Sequence, residues 1–181
     1  MPEGIGPLPS VSFVLGGARS GKSAYAEGLI LRTGLPGLYL ATAEAGLDAE
    51  MTGRIAAHRA RRGAVWTTIE EPLDLAPTLL REARPDRPIL VDCLTLWLSN
   101  LLHVGRDVDA ATLELVAVLG GVTGPVVLVS NEVGLGIVPD NALARAFRDH
   151  AGRLHQAVAA VAAPVVFMVA GQPMVVKPSK A

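Results

Sequence analysis

The sequence contains a single cysteine, Cys93, which excludes an internal disulfide framework and a metal site built from cysteines. A reducing, cytoplasmic setting is the expectation. Long hydrophobic runs are missing as well. No stretch approaches the ~18 to 20 apolar residues of a membrane span, and the opening MPEGIGPLPS has neither the basic stretch nor the apolar segment of a secretory signal. Neither sign of charge dominates: 16 Lys and Arg against 17 Asp and Glu leave a formal net charge of −1. Basic residues are not massed into long runs, so nucleic acid is not an expected partner. Internal repeats and low-complexity tracts are also lacking. One local exception to the even charge is RIAAHRARR, at positions 54–62.

What is present is a chain of 181 residues, 50% hydrophobic and 18% charged, enough apolar material for one sizeable core. The expected organisation is one domain over 11–177, with a loose tail at 1–10 and another at 178–181, both rich in Pro, Gly and small polar residues. VSFVL, LYLA, ILVD, VVLVS and VVFMV are short, apolar on both faces and rich in β-branched residues, as strands covered by helices on each side must be. Helical patterns lie between them at 21–32, 48–62, 73–82, 109–120 and 141–162. The last carries an apolar stripe of Leu143, Ala146, Phe147, Ala151, Leu154 and Val158 behind a start signal at Pro139-Asp140. This alternation predicts an α/β fold with a mostly parallel sheet and helices on both faces.

The first apolar run leads straight into Gly16-Gly17-Ala18-Arg19-Ser20-Gly21-Lys22-Ser23, which fits the phosphate-loop pattern G-x-x-x-x-G-K-[ST] between a strand and a helix. Glycines let backbone N–H groups turn inward around phosphates at the positive end of a helix. In such a loop Lys22 faces the β and γ phosphates, and the Ser23 hydroxyl binds Mg²⁺. The loop alone does not name a reaction, because switches, motors, kinases and transferases all use it.

Three further groups bear on the chemistry. Asp92 ends ILVD, where it either joins Ser23 at a magnesium ion or caps the helix that follows. Asn131 and Glu132 follow VVLVS at the strand end where open α/β sheets bind ligands, although a turn with a capping Asn would look the same. Glu50, Arg54, His58, Arg61 and Arg62 crowd one helical segment. It is either a solvated face or a cationic surface on which neutral His58 attacks phosphorus, with nearby guanidinium groups holding the phosphate charge. His103, His150 and His155 lack partners at metal-ligand spacing and read as helix-surface or loop residues.

Taken together, GGARSGKS, EMTGRIAAHRARR, LVDCLTLWLSN and SNEVGLGIVPDNALARAFRDHAGRLHQ resemble the bifunctional adenosylcobinamide kinase / adenosylcobinamide-phosphate guanylyltransferase family of cobalamin biosynthesis, over about 13–177. The resemblance implies a RecA-like P-loop domain, commonly a homotrimer. It implies phosphorylation of adenosylcobinamide by ATP or GTP, then transfer of GMP from GTP to that phosphate through a guanylyl-histidine. The position matching the nucleophile is His58. Some members carry two adjacent histidines there, whereas this chain has Ala57-His58. Nucleotide contacts implied in the same way are Ala43, Glu44 and Ala45 after the second strand, Arg59, Ala60, Arg61 and Arg62, and Glu70 and Asp92. A P-loop kinase with one activity would share the loop and Asp92 but form no covalent nucleotide. So would a GTP-dependent switch, which has no use for a nucleophilic histidine among arginines.

Overall fold

The computed structural model describes residues 8–43, 63 and 65–179. The expected helix at 48–62, with Glu44, Ala45, His58, Arg59, Ala60, Arg61 and Arg62, lies outside the described residues.

Seven strands form one sheet: β1 Val11–Gly16, β2 Gly37–Ala41, β3 Trp66–Glu70, β4 Ile89–Asp92, β5 Val126–Asn131, β6 Val165–Val169 and β7 Gln172–Lys177, in spatial order β3-β2-β4-β5-β1-β6-β7. All neighbours pair in parallel except β7, which turns back antiparallel on β6. The described helices are α1 Lys22–Leu31, α2 Leu75–Glu82, α3 Leu94–His103, α4 Val108–Gly121 and α5 Ala142–Val161.

Strand alternation divides the core in two. Val14, Tyr39, Leu90, Val127, Val129 and Val166 pack with Ala26 and Ile30 of α1 on one face. Phe13, Leu38, Leu40, Val91, Val126 and Leu128 pack on the other with residues of α2 to α5, among them Leu79, Trp97, Leu115 and Leu154. Each fully buried Leu or Ile contributes about 1.5–3 kcal/mol, so both faces of the five inner strands are strongly fixed. The parallel sheet with helices on both sides is therefore the fold that the apolar runs predict.

Two strands and two helices differ from the sequence expectation. β3 and β7 are edge strands with polar and exposed positions, so neither has the continuous apolar run of an inner strand. α3 is LTLWLSNLLH, apolar at six of its ten positions and without a side-chain cap, and it shows no clean polar face. α2 starts at Leu75 and not at Leu73, because the Glu71 carboxylate accepts from the backbone N–H groups of Leu73 and Asp74 at 3.1 and 2.7 Å and holds them in a turn. α5 begins as its start signal predicts, with the Asn141 side chain accepting from the Ala144 N–H at 2.8 Å.

Candidate active site

Because the six inner and edge strands from β3 to β6 run parallel, their C-terminal ends share one side of the sheet, and the loops there can converge on a ligand. β1 delivers the phosphate loop to this edge. Gly16 has no room for a side chain: a Cβ would sit 2.5 Å from Ser20 Oγ and 2.9 Å from the Met168 carbonyl oxygen. Gly21 adopts φ 94°, a left-handed conformation that favours glycine, and turns the chain into α1. The loop is braced from the β6–β7 turn, where the Gly171 N–H donates to the Ser20 carbonyl at 3.0 Å.

α1 starts without a side-chain cap and has no acidic residue in its first turn. Its first N–H groups are thus left for an anion, at the positive end of the helix. The Lys22 ammonium folds back on the loop, donating to the Gly17 carbonyl at 3.0 Å. Burial pulls its pKa down, and the nearby Asp92 carboxylate acts in the opposite sense.

β4 brings Asp92 to the same place, although β5 separates β4 from β1. Asp92 Oδ2 accepts from Tyr39 Oη at 2.6 Å and lies 3.4 Å from Ser23 Oγ, the hydroxyl being the donor. The helix that follows is capped by Cys93 without a side-chain bond, and the Asp92 carboxylate turns instead to Ser23 after the phosphate loop and to Tyr39 on β2. Ser23 and Asp92 offer two hard oxygens side by side, the donor chemistry a magnesium ion takes. Tyr39, which the sequence reading missed, becomes visible only once β2 is known to lie beside β4. Its one signal is a hydroxyl in the otherwise apolar GLYLA.

Behind this seat lies a polar network. Thr42 Oγ1 donates to the Cys93 carbonyl and accepts from the Cys93 N–H, both at 2.8 Å. Asn131 Nδ2 donates to Thr95 Oγ1 at 2.9 Å. Asn131 therefore ties β5 to the start of α3 and does not cap a turn. The Cys93 thiol is buried within this network, and burial pushes its pKa up, which keeps it a protonated thiol.

Glu70 ends β3 on the same side of the sheet, paired in register with Ala41, which pairs in turn with Asp92. It stands four strand positions from β1, roughly 19 Å at ~4.8 Å per step. Ala43 lies just past the end of β2. The structure thus places Ala43, Glu70, Asp92, Asn131 and the phosphate loop along one edge of the sheet, with Glu70 at its far end.

His103 is exposed at the end of α3, and His150 lies 3.5 Å from Asp109. His155 corrects the surface reading. It is only 7% exposed, its Nε2 lies 2.8 Å from Ser130 Oγ, and its ring tilts against Phe13. The signal was present in the sequence, since position 155 falls inside the stripe formed by Ala151, Leu154 and Val158. Burial lowers the His155 pKa, with Glu132 opposing. A histidine that folding keeps neutral stabilises the fold above its unfolded pKa of ~6.5, and that stability is lost as pH falls below it. Urea unfolding from pH 7.5 to 5 is expected to show a decline of up to about 1.4 kcal/mol per pH unit below ~6.5 from this group, and His155→Gln should flatten that slope.

Comparison with known proteins identifies the family of the chain. A family model described as cobinamide kinase / cobinamide phosphate guanyltransferase matches residues 12–176. The chain belongs to this family. Among curated members, the bifunctional adenosylcobalamin biosynthesis protein CobP of Pseudomonas aeruginosa is 54% identical over 166 residues, covering 91% of this chain and 95% of that protein. The bifunctional adenosylcobalamin biosynthesis protein CobU of Salmonella typhimurium is 42% identical over 173 residues, covering 87% and 94%. Solved structures share the fold at much lower identity. The flagellar accessory protein FlaH of Methanocaldococcus jannaschii matches with a TM-score of 0.51 at 12% identity, covering 95% of this chain and 80% of that one. A Pyrococcus horikoshii OT3 protein matches with a TM-score of 0.53 at 10% identity, covering 96% and 89%. The cobinamide kinase / guanyltransferase family thus has, in this member, a mostly parallel α/β sheet with the phosphate loop between its first strand and first helix. Among the described residues, no helix is long and apolar enough to cross a membrane.

Proposed function

We propose that the protein phosphorylates adenosylcobinamide with ATP or GTP, then transfers GMP from GTP to adenosylcobinamide phosphate, giving adenosylcobinamide-GDP in cobalamin biosynthesis. The observation that carries this is the joining of family membership to a built phosphate seat, in which Lys22, Ser23 and Asp92 converge although β5 lies between their strands. Lys22 and the free N–H groups of α1 neutralise the triphosphate and orient its terminal phosphorus. Ser23 and Asp92 would hold Mg²⁺, which when bound draws charge from the phosphate oxygens.

The guanylyl step is assigned to His58. Its neutral imidazole attacks the α phosphorus of GTP and pyrophosphate leaves; the phosphate of the corrinoid then attacks the same phosphorus and releases the imidazole. Arg59, Ala60, Arg61 and Arg62, with Ala43, Glu44, Ala45 and Glu70, are assigned to that nucleotide. The position of Glu70, far along the edge from β1, supports a guanylyl site that is not confined to the phosphate loop. A cytoplasmic homotrimer is the assembly proposed, and the exposed Leu135, Ile137 and Val138 beside the edge support association.

Mass spectrometry of products formed from adenosylcobinamide, ATP and GTP tests the reading. Both the phosphate and the GDP-linked corrinoid are expected, and a product that stops at the phosphate would leave a plain kinase. Asp92→Asn is expected to weaken Mg²⁺-dependent turnover more than nucleotide binding, because the amide fills the same space without negative charge. A magnesium titration should move its midpoint upward, and an unmoved midpoint would take Asp92 out of the metal seat.

A further inference from the structure

Glu132 has no role in the scheme so far, yet the fold places it with care. β5 ends at Asn131, in register with Gly16 of β1, and the Glu132 N–H donates to the Gly16 carbonyl at 3.0 Å. Glu132 thus leaves the sheet beside the first residue of the phosphate loop, next to the Gly17 carbonyl that holds Lys22. Its carboxylate is held too. Oε1 accepts from the Gly134 N–H, and Oε2 lies 3.9 Å from His155 Nδ1. His155 is fixed in turn by the buried Ser130, whose Oγ lies 2.8 Å from Nε2, which holds the ring with Nδ1 on the side of Glu132. The carboxylate remains 21% exposed, open to a substrate.

A carboxylate beside a triphosphate loop repels what the loop binds. A fixed one calls for a use that offsets this cost, and the kinase step has one: the acceptor alcohol must lose a proton, and none of Lys22, Ser23 or Asp92 is placed to take it while holding phosphate and metal.

We propose that Glu132 is the general base of the kinase step. Its carboxylate takes the proton of the acceptor alcohol as that oxygen bonds to the γ phosphorus, while the bond from this phosphorus to the β–γ bridging oxygen breaks and its electron pair leaves with the nucleoside diphosphate. The proton on Glu132 then passes to water. The Gly134 N–H positions the carboxylate, and His155, 3.9 Å away and kept neutral by burial, places no full positive charge beside the base. This inference rests on the functional reading above.

The test is Glu132→Gln in the full chain, with adenosylcobinamide and ATP. The kinase kcat is expected to fall 10²- to 10⁴-fold, the range for loss of a general base, while the Kd for ATP stays within about threefold of wild type and the circular dichroism is unchanged. Glu132→Asp should regain part of the rate. A Gln variant within about threefold of wild-type kcat overturns the proposal, and so does a loss of rate matched by lost ATP binding, which marks a structural role. If wild type itself forms no phosphorylated corrinoid, the functional reading falls and this one with it. If wild type is active and Glu132→Gln matches it, only the assignment of Glu132 falls.

Discussion

Lys22→Ala is expected to leave the circular dichroism of the protein unchanged and to lower nucleotide turnover in both transfers by several orders of magnitude. The side chain is largely buried, yet among the described residues its hydrogen bond is to the Gly17 carbonyl of its own loop, so its removal takes no partner from the core. What disappears is the cation facing the β and γ phosphates, where charge accumulates as the terminal phosphorus is transferred. Desolvation already works against this ammonium, and the nearby Asp92 carboxylate only partly offsets it. A bound triphosphate would supply the missing negative charge. Tighter nucleotide binding in wild type than in Lys22→Ala, read by isothermal titration alongside turnover, is therefore part of the same expectation. Near-normal turnover in the variant would remove Lys22 from the mechanism.

The phosphate loop was legible because its residues are set by backbone geometry: Gly16 has no space for a Cβ, and Gly21 needs a positive φ. The inner strands were legible for a related reason. A strand covered on both faces has no solvent side, so its sequence carries no polar alternation. Edge strands escape that rule, and Trp66–Glu70 and Gln172–Lys177 were missed with it. The site was legible one residue at a time but not as a set. Asp92 could be named from ILVD, whereas Tyr39, Thr42 and Thr95 depend on which strands are neighbours, and strand order in a parallel sheet follows from crossovers that local pattern does not encode. His155 shows a different limit. Its position falls among Ala151, Leu154 and Val158 on the buried side of α5, but a polar residue there reads as surface until its partner, Ser130 on β5, is known.

His58→Ala is expected to abolish covalent labelling of the enzyme by α-labelled GTP, together with formation of the GDP-linked corrinoid, while phosphorylation of adenosylcobinamide persists. The two transfers ask for different chemistry. Kinase transfer passes the γ phosphorus directly to an alcohol, and in the proposed scheme Lys22, Ser23 and Asp92 supply the positioning and charge it needs. Guanylyl transfer through an enzyme nucleophile needs a group that bonds to the α phosphorus and then leaves, and neutral imidazole does both near pH 7. The attacking form is the unprotonated ring, and an ordinary histidine titrates near ~6.5, so labelling of wild type should be greater at pH 7.5 than at 5.5. The label should be lost in acid, as a phosphoramidate is, and survive alkali. Of the two adjacent positions where some family members carry histidines, this chain keeps only the second, Ala57 standing at the first. Labelling of wild type would therefore locate the nucleophile at the second position directly. A labelled His58→Ala enzyme, or a wild type that never takes label, would end the covalent assignment and leave a kinase with one activity.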